Sequence, residues 1–283
     1  MWNKHIITCI LIITLIIMTI MLSQNDKKYI EKYTQKPYLW LYWEGNIPDY
    51  VQLCIKSIKK HCGNSFEIVT LNDDLCQQYL GNLNNLNNLG DLKNIGLAQR
   101  SDYLSYRILH KYGGFWLDTN SIVMKDLLPL YNSMGVMDFV GFGCTGNSCK
   151  NGKPHPSVWA LISKPNTKLM ELCIEYSDKV IANDHLGYHD VGKYVLWKAL
   201  DKLIKETGYD YVHVNDKYIG HRDKKGEWTC PLFTYSNNIN IDPNDIYFAV
   251  LHGSHIKNWK SMSENDVMNH NSFAGSLLRK TLK

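Results

Sequence analysis

The chain has 283 residues, a net charge of +4 with the signs interspersed, and 45% hydrophobic residues. That is enough for one large α/β domain, and the charge is too mild and too scattered to mark a nucleic-acid partner. Eight cysteines without a pair of C-x-x-C motifs argue against structural zinc.

Residues 6–22 carry no charge, no Gly and no Pro. At 1.5 Å per residue the run spans about 25 Å, the short end for a bilayer. The exit Ile20-Met21-Leu22-Ser23 lacks a small-x-small cleavage site. An uncleaved signal anchor over residues 1–22 is therefore expected, with a cleaved signal as the alternative. Lys4 before the run and Lys27 and Lys28 after it nearly balance and leave the orientation open. Residues 23–36 read as a polar stem and 37–283 as the domain. The chain has no N-x-[ST] sequon, so a cytosol-facing domain remains possible.

Tyr38 to Trp43 is an unbroken apolar run, the pattern of a strand buried on both faces. Glu44-Gly45-Asn46 follows as a loop. Pro48 suits the first turn of a helix running to about His61. Phe66 to Leu71 is the second strand, and Asn72-Asp73-Asp74 caps the next helix. This strand-helix-strand order predicts a parallel sheet. From Leu80 to Leu92, Leu recurs every third residue among Asn and Gly, which fits neither a helix nor a strand and reads as an irregular connector. Strands are predicted over 139–142, 158–162 and 247–251, and helices over 166–182 and 192–207. Gly143 to Pro156 reads as a loop bordering an acceptor pocket, with Cys144 and Cys149 as the best disulfide candidates.

Residues 98–120 hold the most chemistry. A helix begins near Leu97, with Leu97, Leu104 and Ile108 on its apolar face. Gly113 and Gly114 let it stop and reverse. Phe115 to Leu117 is a short strand, and Asp118-Thr119-Asn120 is its polar tip. A carboxylate and a second oxygen ligand two residues apart can hold a hard cation against a diphosphate. In open α/β sheets, ligands bind beyond the carboxyl ends of strands. Asp102 on the helix has no basic residue three or four positions away, so no local ion pair explains it.

These residues resemble the core of the DXD-type sugar-nucleotide glycosyltransferases, most of all the capsular-polysaccharide-synthesis and yeast-type mannosyltransferase branch. The resemblance implies a GT-A fold: a Rossmann-like, mostly parallel sheet flanked by helices. It implies transfer of a sugar, with retention, from a nucleotide-sugar donor to a glycan hydroxyl. It assigns Asp102 and Asp118 to catalysis. Trp43, Arg100, Ser101, Asp102, Gly113, Gly114, Lys257 and Trp259 would bind substrate. Asp118, Asn120 and His252 would hold Mn2+ or Mg2+. A membrane protein with a short cytosolic tail, type II-like, is the localisation it suggests, held through residues 6–22.

Two positions depart from the pattern. Asn120 stands where the strict motif has Asp, and Ser105 where the family usually has Arg. They support an alternative reading, a catalytically silent relative acting as a binding or scaffold subunit. A glycoside hydrolase would need two carboxyl groups roughly 5–9 Å apart across one bond, and the sequence nominates no such pair.

Overall fold

The computed structural model describes residues 36–81, 95–144, 155–182, 186–222, 233–252 and 256–283. The expected anchor lies outside them, as do Cys149 and nearly all of the stem and the connector after Leu80. Among the described residues no helix is long and apolar enough to cross a membrane.

The domain opens as the sequence predicts. Strand β1 (Tyr38–Tyr42) leads through helix α1 (Asp49–Cys62) to β2 (Glu67–Leu71), and the two strands pair in parallel. Pro48 is the N-cap of α1, where its missing N–H is not needed. Asn72 caps α2 (Asp73–Leu80), its side chain accepting from Leu75 N at 2.8 Å. Helix α3 (Leu97–Tyr112) then turns into β3 (Gly114–Leu117). Gly113 and Gly114 take φ of 66° and 105°, a region that side chains disfavour. A Cβ at Gly113 would meet Pro165 at 2.8 Å, and one at Gly114 the Tyr38 carbonyl oxygen at 2.7 Å. The corner closes because both are glycine.

The rest adds β4 (Ser121–Val123), α4 (Leu128–Asn132), β5 (Phe139–Cys144), β6 (His155–Ser163), α5 (Lys168–Ile181), α6 (Lys193–Thr207), β7 (Val212–Asn215), β8 (Phe248–Val250), α7 (Glu264–Asn269) and α8 (Phe273–Leu282). The main sheet has the order β2-β1-β3-β6-β5-β7. All its strands share one direction except β6, which opposes both neighbours. The expected mostly parallel α/β sheet is present. Strands β4 and β8 form a separate antiparallel pair.

The unbroken apolar strands follow from cores on both faces. Leu39, Leu41, Phe115 and Leu117 pack into one core, with α1 and α8. Trp40, Tyr42 and Trp116 pack into the other, with α3, α5 and α6. Each large side chain fully buried in this way contributes about 1.5–3 kcal/mol.

Some expectations need correction. Strand β6 starts at His155, so part of the predicted 143–156 loop is strand, with Gly143 and Pro156 in register across β5 and β6. Helix α5 starts at Lys168, because Asn166 takes φ 57° and Thr167 accepts from Met170 N as the cap. Leu97 is exposed, whereas Leu104 and Ile108 are buried. Strand β7 and helices α7 and α8 carried no sequence signal that was read.

Candidate active site

Strands β1 and β3 are parallel neighbours, so their carboxyl ends open on the same side. Thr119 ties them together. Tyr42 N donates to Thr119 Oγ1 at 3.1 Å, and that hydroxyl donates to Tyr42 O at 2.8 Å. Asp118 N donates to Trp159 O at 2.7 Å, which fixes the tip against β6. Asn120 clasps the residue after β8: Leu251 N donates to Asn120 O at 3.0 Å, and Asn120 Nδ2 donates to Leu251 O. The clasp carries His252 to the tip.

A cleft of about 250 Å3 opens there. Asp118, Asn120 and His252 line it, with Trp43 and Ser101 on its wall. Sequence reasoning missed Tyr42, Leu97 and Tyr188, which also line it. Tyr188 is exposed, but in the sequence it is one of eighteen tyrosines and nothing local singles it out. The His252 ring is backed by buried His221, 5.3 Å away between centroids. Burial, then the neighbouring His252 and Arg222, pushes the His221 pKa well down, so it stays neutral.

Asp102 lies behind the tip. A Cβ on Gly192 would overlap its Oδ2, so the glycine ahead of α6 makes room for this carboxylate. Asp102 and Asp118 each keep some accessible surface, yet protein atoms pack round both carboxyl groups. Burial, and next the charge of Asp118, raises the Asp102 pKa well above the usual carboxylate range. Burial raises Asp118 to about 7. Neither has a basic partner among the described residues. Two desolvated carboxyl groups, with the charge of Asp118 acting on Asp102, leave a local demand for positive charge.

The donor atoms suit a hard cation: a carboxylate at Asp118, an amide oxygen at Asn120 and an imidazole at His252. Among the described residues no three His, Cys, Asp or Glu groups gather at ligand spacing. A cation held here would take the rest of its ligands from phosphate and water.

Other predicted residues lie elsewhere. Arg100 Nη1 pairs with Asp73 Oδ2 at 2.6 Å, and Tyr42 OH donates to Asp73 Oδ1 at 2.7 Å. Arg100 thus ties α3 to α2 behind the cleft wall. Gly113 and Gly114 sit at the opposite end of β3 from the tip and serve packing. Trp259 is buried in the 3-10 turn Lys257–Ser261, edge-on to Tyr50 at 6.5 Å, and does not line this cleft. The side chain of Lys257 is outside the described residues. Ser105 is buried and donates to Asp102 O at 2.6 Å; an arginine would not fit in its place.

Residues 14–215 match the model of the family described as capsular polysaccharide synthesis protein. The chain belongs to that family. The branch to which the helix, the glycine pair and the acidic tip pointed is therefore the right one. No curated protein matches significantly. Among solved structures, the chain resembles the PaToxG glycosyltransferase at 14% identity and a TM-score of 0.45, covering 66% of this chain and 76% of that one. It resembles the apo glycosyltransferase GlyE of Streptococcus pneumoniae TIGR4 at 15% identity and 0.46, with 88% and 61% covered, so the chain spans under two thirds of GlyE. An active-site mutant of LgtC follows at 12% and 0.45, with 86% and 94% covered. Likeness this loose transfers no residue roles.

Proposed function

We propose that this member of the family is a metal-dependent glycosyltransferase that moves a sugar from a nucleotide-sugar donor to a glycan hydroxyl. The observation that carries the reading is a pair of desolvated carboxyl groups without a basic partner among the described residues: Asp118 in an open cleft at the carboxyl end of β3, and Asp102 on α3 behind it. Such a site favours a cationic complex. Bound Mn2+ or Mg2+ would neutralise the negative charge that develops on the leaving diphosphate.

The protein's own residues supply the rest. Asp118, the Asn120 oxygen and His252 would hold the cation. Asp102, fixed against Gly192, would accept hydrogen bonds from donor-sugar hydroxyls and so orient the anomeric carbon. Trp43 and Ser101 would line the donor's path. In the transfer, the acceptor oxygen bonds to the anomeric carbon as the bond to the diphosphate oxygen breaks. The diphosphate leaves with the electron pair, and the acceptor hydroxyl's proton passes to the departing diphosphate oxygen on the same face of the sugar. Retention at the anomeric carbon is the outcome that the family resemblance implies, and NMR of the product would read it.

Calorimetry with manganese and a nucleoside diphosphate tests the reading. Binding should require the metal and disappear in Asp118→Ala, while His252→Ala should weaken it less, because a neutral ligand contributes less at a hard cation. Unchanged affinity in Asp118→Ala would favour the silent-relative alternative.

A further inference from the structure

We propose that a row of aromatic rings leading away from the cleft is the acceptor subsite, and that it takes an oligosaccharide rather than a single sugar. The proposal rests on the glycosyltransferase reading above and deepens it.

The row starts on the cleft wall. Tyr188 lines the cleft, is 71% exposed, and lies near enough to feel the charges of Asp102 and Asp118. Its ring meets that of His189 at 4.9 Å; His189 meets Tyr194 at 5.8 Å; Tyr194 meets Trp197 at 5.7 Å; and Trp197 meets His155 at 4.3 Å. Tyr194 is itself 50% exposed. Single exposed aromatics are common and need no account, but two exposed tyrosines joined through half-buried His189, Trp197 and His155 into one file that runs into a cleft mark a binding surface.

The file is held in place before any ligand arrives. Gln99 Nε2 donates to Gly187 O at 2.9 Å, which ties the Tyr188 loop to α3. Gly187 N donates to Asp190 Oδ2 at 2.7 Å and closes the loop on itself. Trp197 Nε1 donates to Pro156 O at 2.8 Å and anchors the far end to β6. Lys193 Nζ stands 5.4 Å from the Tyr194 ring centre and 5.6 Å from that of Trp197. Rigid amphipathic rings bind at low entropic cost.

The chemistry selects the occupant. A sugar ring has C–H faces that stack on aromatic faces and an equator of hydroxyls that suits the polar edges of Tyr, His and Lys. An acceptor must place one hydroxyl at the donor's anomeric carbon, and Tyr188 is the ring of the file that lines the cleft. Five rings in file offer more faces than one pyranose can cover, so further sugars of the acceptor would lie along α6.

The test uses the full chain in detergent on a glycan array carrying neutral and acidic oligosaccharides. Wild type should be retained by a subset of longer glycans. Tyr194→Ala should lose about tenfold of that signal and Tyr194→Phe should keep it, because the phenyl face survives. Tyr218→Ala, an exposed tyrosine elsewhere, should match wild type. Equal thermal midpoints would show that all variants fold. The proposal is overturned if no glycan is retained, or if Tyr194→Ala binds as wild type does. Calorimetry on the same samples separates the two readings. Nucleoside diphosphate binding with no glycan binding sinks the aromatic subsite alone. Glycan binding without nucleotide binding sinks the donor cleft alone.

Discussion

Asp118 carries a cost that the metal-free protein must bear. Its pKa is raised from 3.8 to about 7 by burial. The folded-state value lies above the unfolded one, so the associated stability is fully present below pH 3.8 and is lost as pH rises through about 7. Without metal, the thermal midpoint of wild type should fall more between pH 5 and pH 8 than that of Asp118→Asn. Manganese at pH 8 should raise the midpoint of wild type only. Identical pH profiles for the two proteins would mean that Asp118 does not titrate as its burial implies. Asn120 raises a different question. From sequence, Asn120→Asp restores a charge that the family usually has and should tighten metal binding. In the structure the Asn120 amide donates to Leu251 O, and a carboxylate there would face a carbonyl with no proton between them. An unsatisfied pair of this kind costs about 1–3 kcal/mol, or roughly 2–4 °C of midpoint per kcal/mol in a domain of this size. Metal-free Asn120→Asp should therefore melt several degrees lower and recover with manganese. A higher midpoint without metal would show that the clasp is unimportant.

At the scale of elements, the start of α6 sets the position of the α3 carboxylate. Gly192 sits at φ −90° and ψ −109°, and a Cβ there would overlap the Asp102 carboxylate. In Gly192→Ala the methyl group would displace the carboxylate while leaving the helix cap intact. Transfer activity should fall by at least tenfold, with the midpoint changed by only a few degrees. Retained activity would mean that Asp102 has another way to sit. This contact was not legible in the sequence, because nothing local links residues 102 and 192. What was legible is what neighbours in sequence decide. The βαβ opening followed from apolar runs and caps, and the α3–β3 corner from Gly113-Gly114 and the strand after it. The position of Asp118 at a strand end followed too. Strand β7 alternates apolar and polar residues but is only 4 residues long and half-buried throughout, too short a run to stand out by its period. The Arg100–Asp73 pair was not legible either, because its two residues lie on different helices. Ser105, which departs from the family's usual arginine, is a buried hydroxyl that donates to the Asp102 carbonyl.

For the whole molecule, attachment to a membrane is the first property to measure. Residues 6–22 are uncharged and lack a cleavage site, and we propose that they hold the chain in a membrane. The full chain should stay in the pellet on alkaline carbonate extraction. Release into the soluble fraction, or a mature amino terminus near Gln24, would rule the anchor out. The arrangement of the domain has another consequence. Strands β4 and β8 pair Ser121 with Val250 and Val123 with Phe248, so the tip after β3 is completed by a strand made late in translation. A ribosome-bound chain that had yet to release β8 would carry Asp118 without His252 and without the clasp on Leu251. Donor capture should therefore switch on late in synthesis, and a chain cut off before β8 should not consume nucleotide sugar.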